Sequence, residues 1–110
     1  MSLKISEWKS LAASRDKLKY TATISRNGKN VAFLEKTSNI EGVLNYELNI
    51  TPGTKDIDSV MNLVISLIAH EFQKYIPFQG EKKLEFNWNT SYPARDDVRK
   101  AFQIYNIELW

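Results

Sequence analysis

The stretch LKYTATISRNGKNVAFL, residues 18–34, sets Asn27-Gly28 between two runs that alternate apolar and polar side chains. Both central positions of a two-residue type I′ turn need positive φ, which Asn and Gly adopt most readily, so the pair predicts a β-hairpin. With Arg26 opposite Lys29, Ile24 comes to face Val31 and Ala22 to face Phe33, while Thr21, Thr23 and Ser25 line the other side. On this reading one face of the hairpin is apolar and Phe33 belongs to a core.

Working outward, residues 43–50 repeat the alternation, with Leu44, Tyr46, Leu48 and Ile50 on one side and Val43, Asn45, Glu47 and Asn49 on the other. Thr51-Pro52-Gly53-Thr54 stops that strand with turn residues. From Asp56 to about Tyr75 the period becomes helical: Ile57, Val60, Met61, Val64, Leu67, Ile68, Phe72 and Tyr75 share a broad side, against a narrow polar stripe of Ser59, Asn62, Ser66, His70 and Gln73. Pro77 and Gly80 end this helix. Leu84, Phe86 and Trp88 then alternate with Lys83, Glu85, Asn87 and Asn89 in a further strand. Pro93 opens a last helix carrying Ala94, Val98, Ala101, Phe102 and Tyr105, with Asn106 as its stop and Ile107 to Trp110 as a short closing strand. Upstream, Ser6 caps a first helix presenting Trp8, Leu11 and Ala12.

The resulting order is α-β-β-β-α-β-α-β. It describes an α+β fold in which an antiparallel three-stranded meander is extended by a β-α-β-α-β remainder, with the helices packed on one face of a four- to five-stranded sheet. At 110 residues, 43% of them hydrophobic, the chain suits one compact domain over 1–110. Without cysteine it has no disulfide, thiolate chemistry or Cys-based metal site, which agrees with a reducing, cytoplasmic setting. No run is apolar and long enough to span a membrane, and the start lacks a signal peptide's apolar segment.

The chemistry-bearing residues are sparse. His70, the single histidine, has Ser66 and Lys74 one turn away but no acidic partner at triad-like spacing, so no catalytic constellation is visible. Glu71 projects toward the apolar side between Leu67 and Tyr75, where a carboxylate needs a partner, and a basic residue of the first helix or the hairpin would supply a structural ion pair. Asp56 and Asp58 stand where helix-capping carboxylates belong, and Asp96 and Asp97 lie among Arg95, Arg99 and Lys100 as surface pairs. The four glycines are scattered singly, so no phosphate-cradling loop, metal set or cofactor is expected.

The formal charge of +2 conceals a bias. Residues 1–36 hold eight Lys/Arg against three Asp/Glu, residues 37–80 two against five, and residues 81–110 five against five. Lys9, Arg15, Lys17, Lys19, Arg26 and Lys29 are the candidate contacts for phosphate or an acidic partner. Trp8, Tyr92 and Trp110 are the aromatics least committed to a core and the candidate interface anchors.

The Arg26-Asn27-Gly28 turn followed by Val31-Ala32-Phe33, the helix over Asp58 to Phe72, the strand ending in Asn89-Thr90-Ser91 and the last helix leading to Ile107-Glu108-Leu109 give residues 20–109 a layout that resembles the large polyvalent protein associated domains appended to plasmid relaxases. The long third strand and its Pro52-Gly53 turn depart from that pattern. The resemblance implies an auxiliary, noncatalytic role near DNA transfer and carries over no functional residue. The expected function is a noncatalytic binding module that recognises a protein partner through its helical edge or N-terminal surface, in a phage, plasmid or effector setting. The alternative is an accessory nucleic-acid binder using the basic N-terminal third.

Overall fold

Asn27 and Gly28 adopt φ of 53° and 76°, as the type I′ turn demands, and they join β3 (Lys17–Arg26) to β4 (Lys29–Asn39). The computed structural model describes residues 3–13, 17–39, 42–76 and 81–110, the side chains at positions 12, 13 and 17 excepted. Arg26 faces Lys29 as expected, but the register then slips between Ile24 and Ser25: Ser25 pairs with Asn30, and Ile24 with Ala32. Val31 is the extra residue of a β-bulge. One inserted residue reverses the phase of everything beyond it. Ala22 therefore meets Leu34 and Thr23 meets Phe33. The core takes Ala32 and Leu34, both fully buried, while Phe33 is 46% exposed, which corrects its assignment to the core.

β5 (Val43–Ile50) continues the antiparallel meander, and β6 (Lys83–Trp88) pairs with it in parallel. A parallel neighbour needs a crossover, which α1 (Ile57–Lys74) supplies. The described residues of the N-terminal segment form no helix. β1 (Leu3–Ile5) and β2 (Lys9–Ala13) both run antiparallel to β3. The i, i+3, i+4 spacing of Trp8, Leu11 and Ala12 imitates a helix, but eleven residues hold too few turns to stand alone, and the open edge of β3 offers a full ladder instead. The break between β1 and β2 is bridged by Ser6, whose backbone N–H donates to the Thr23 carbonyl while its Oγ accepts from Thr23 N–H, both at 2.9 Å. A second register shift falls between Ser10 and Ala12.

The six strands thus run in the order β1-β3-β4-β5-β6, with β2 beside β1 on the same edge of β3. α1 and α2 (Arg95–Gln103) bury their apolar sides on one face. Val60, Val64, Ile68, Val98 and Phe102 join Ile24, Leu34, Tyr46, Leu48, Leu84 and Phe86 in one contiguous core. The α+β architecture with helices on one face is as the sequence implies, though the expected first helix is two strands. The expected closing strand shrinks to a single parallel bridge, Leu84 to Leu109, with Trp110 N–H donating to the Leu84 carbonyl at 2.8 Å.

The helix ends show how local chemistry fixes them. Asp56 caps α1, its Oδ1 accepting from Ser59 N–H at 3.3 Å and its Oδ2 from the Ser59 hydroxyl at 2.7 Å. These bonds, and then Arg26 at 3.4 Å, hold the Asp56 carboxyl below the usual carboxylate range. The stops assigned to Pro77 and Gly80 lie outside the described residues. At that end Lys82 donates to the carbonyls of Phe72 (2.7 Å), Tyr75 (3.3 Å) and Gln73 (3.4 Å), placing a cation on the negative pole of the helix. Asn106, at φ 60°, ends the last helical turn as expected.

The bulge yields a paired expectation. Leu34→Ala should cost about 2–5 kcal/mol and Phe33→Ser less than about 1 kcal/mol, measured by urea unfolding. Equal losses at the two positions would contradict the slipped register.

Candidate protein-interaction surface

Strand alternation places the polar phase of the sheet on the face opposite the helices, and no described element covers that face. Its rows follow from the register. Lys9, Thr21, Glu35, Glu47 and Asn87 stand side by side across β2 to β6. Lys19, Thr37, Asn45 and Glu85 form the next row, and Thr23, Phe33 and Asn49 form a row nearer the hairpin turn. Phe33 is thus an exposed ring among threonine and asparagine, with Glu35 and Glu47 in the adjoining row. Glu35 and Glu47 occupy directly opposed positions of β4 and β5, an arrangement that like charges disfavour. Lys19 relieves part of it from one side, 3.7 Å from Glu35.

The same alternation divides the basic set. Lys9 and Lys19 share this uncovered face, whereas Arg26, of opposite parity, turns to the helix side and pairs with Asp56 at 3.4 Å. Lys29 is exposed beside the turn. Arg15 and the side chain of Lys17 lie outside the described residues. The structure therefore does not gather the described members of the set into one patch, and two of them already face carboxylates.

The three candidate anchors also separate. Trp8 is half-buried on the helix side, its ring 6.4 Å from that of Tyr46. Its Nε1–H donates to Glu71 Oε2 at 2.7 Å. Tyr92 is exposed and donates its hydroxyl to Asp58 at 2.7 Å, a bond that raises its pKa above the ordinary phenol value. Trp110 is exposed, with Lys83 Nζ 4.2 Å from its ring centroid.

Glu71 finds the partner the sequence required, and more. Its Oε1 accepts from the Tyr46 hydroxyl at 2.5 Å and from Lys36 Nζ at 3.4 Å, while Trp8 takes Oε2. Lys36 Nζ lies 4.3 Å from the Trp8 ring centroid and 5.3 Å from that of Tyr20, so the ammonium rests between two ring faces and a carboxylate. Tyr46 is fully buried. Burial, and then the adjoining carboxylate, raise its hydroxyl far above the ordinary value. Lys36 was not singled out from the sequence, although its parity with Ala32 and Leu34 would have turned it inward once the bulge was recognised.

His70 is exposed on α1. Among the described residues no three His, Asp or Glu side chains converge to hold a metal ion, and no helix is long and apolar enough to cross a membrane. Neither a protein-family model nor a solved structure matches the chain.

Proposed function

We propose that the protein is a noncatalytic binding module that recognises a protein partner with the uncovered face of its sheet. The single observation that supports this is the exposure of Phe33 on the central strand β4, toward the hairpin end of a face whose neighbouring positions are Thr, Asn and Glu. An isolated aromatic in a hydrophilic field is the composition of an interface anchor with its polar rim. Charge indicates the partner's chemistry near the ring: Lys19 answers Glu35, and Lys9 and Lys83 share the face, so it is the exposed Glu47, in the row next to Phe33, that favours a lysine or arginine beside an apolar socket for Phe33. The division of the basic set weakens the nucleic-acid alternative. The face offers roughly 20 Å across the strands and 25 Å along them from standard strand spacings, an area close to one side of a small specific interface. An auxiliary task of this kind accords with the resemblance to relaxase-appended domains, and the absence of cysteine accords with a cytoplasmic setting.

The test compares the native chain with Phe33→Asp and with Glu47→Arg, both at exposed positions, in partner capture followed by calorimetric titration of the partner identified. The expected result is a loss of affinity of about tenfold or more for each variant, with amide-exchange protection confined to the uncovered strands. Undiminished binding by both variants, or protection confined to α1 and α2, would refute the assignment.

A further inference from the structure

At the hairpin end of the sheet, a hollow of about 190 Å³ lies between the β3–β4 turn and the loop before α1, and Arg26, Lys29 and Lys55 line it together with Thr51, Gly53 and Thr54. The cations come from three separate segments: the last residue of β3, the first of β4 and the approach to α1. Their convergence is built by the bulge. The carbonyl of Val31, the inserted residue, accepts from Thr51 N–H at 2.9 Å and from Thr54 Oγ1 at 3.2 Å, which ties the loop to the hairpin and brings Lys55 beside Arg26 and Lys29. Arg26 is itself steadied by Asp56 at 3.4 Å. Among the described residues this is the one carboxylate paired with a lining cation, and the neighbouring Asp58 accepts from Tyr92. Gly53, at φ 85° with open space where a Cβ would stand, leaves one wall low.

We propose that this hollow binds a single phosphate monoester dianion. One arginine and two exposed lysines line the hollow, a set whose cationic groups can reach a single tetrahedral oxyanion. The size and placement favour one phosphate over a nucleic-acid strand. A strand needs a row of cations, but Lys9 and Lys19 stand on the opposite sheet face, interleaved with Glu35, Glu47 and Glu85. The site stands apart from the Phe33 face, so failure of the face variants leaves it intact.

The experiment titrates the isotopically labelled chain by amide chemical shift with inorganic phosphate, with a short phosphoserine peptide and with a thymidine oligonucleotide, each against sodium chloride at matched ionic strength. The expected result is saturable shifts confined to residues 26–31 and 51–56 with phosphate and with the phosphopeptide. The exposed-site double variant Lys29→Ala/Lys55→Ala should weaken them by about tenfold or more while leaving the rest of the spectrum unchanged. Shifts reproduced by chloride, or unaltered in the double variant, overturn the site. Tighter binding of the oligonucleotide than of the phosphopeptide, with shifts spreading to Lys9 and Lys19, overturns the single-phosphate assignment.

Discussion

Replacing Glu71 with alanine is expected to destabilise the fold by about 3–5 kcal/mol, because one deletion strands an ammonium, a buried phenol and an indole N–H together. Lys36, Tyr46 and Trp8 all donate to that carboxylate, and among the described residues none of the three donates to another side chain or carbonyl. Against a total stability of about 5–15 kcal/mol the loss is severe, and the thermal midpoint should fall by on the order of 15 °C. Glu71→Gln preserves one acceptor oxygen and should lose markedly less. Adding Lys36→Met to Glu71→Ala should recover part of the deficit, since it removes the stranded charge and keeps the stem packed against Trp8 and Tyr20. A loss below about 1 kcal/mol for Glu71→Ala, with unaltered Trp8 emission, would show that the cluster contributes little.

Raising the pH should expose the same cluster from the other side. Burial and the Glu71 carboxylate lift the Tyr46 hydroxyl far above its ordinary value of 10.0, so the folded chain keeps this proton where the unfolded chain releases it. A group raised on folding contributes its full stabilisation below the unfolded pKa and loses it as the pH climbs. Stability should therefore decline above about pH 10, at a slope near 1.4 kcal/mol per pH unit from this one group. Urea unfolding at pH 9 and pH 11.5 should show the decline in the native chain. Tyr46→Phe, less stable at pH 9 through the lost hydrogen bond, should decline less steeply. Tyr92 adds to the native slope in the same direction, which is why the difference between the two proteins is the informative quantity. Parallel slopes would remove Tyr46 as the cause.

The elements legible in the sequence were those whose patterns are local. Asn27-Gly28 specifies its turn whatever surrounds it, the alternation of β5 and β6 reports a half-buried strand directly, and α1 carries five turns of helical spacing with its cap at Asp56. The bulge at Val31 was not legible, because Val31 and Phe33 are as apolar as Ala32 and Leu34, and the composition of the run suits either phase. Packing selects between them: small Ala32 and branched Leu34 fit under the helices, and Phe33 is left outside. The N-terminal segment was misread for a related reason. Three apolar residues at helical spacing are weak evidence, and the vacant edge of β3 outweighs them.

For the candidate sites, parity was the available signal. Arg26 and Lys19 differ by an odd number of positions along one strand, so they could never share a face, and the basic set divides accordingly. The partner predicted for Glu71 was readable in kind, since its apolar placement demanded one, but that Lys36 supplies the cation depends on the slipped register. Lys55 and Lys82 act across turns whose geometry no periodicity encodes.

Both margins of the sheet are interrupted. On one, the backbone departs from the ladder at Ser6 to Trp8 and slips again before Ala12; on the other, Trp110 already occupies the Leu84 carbonyl. Lateral stacking of copies into ribbons is thereby discouraged, so the chain should stay dispersed when concentrated despite its many strands, and whatever docks must meet a broad flank instead of extending a ladder.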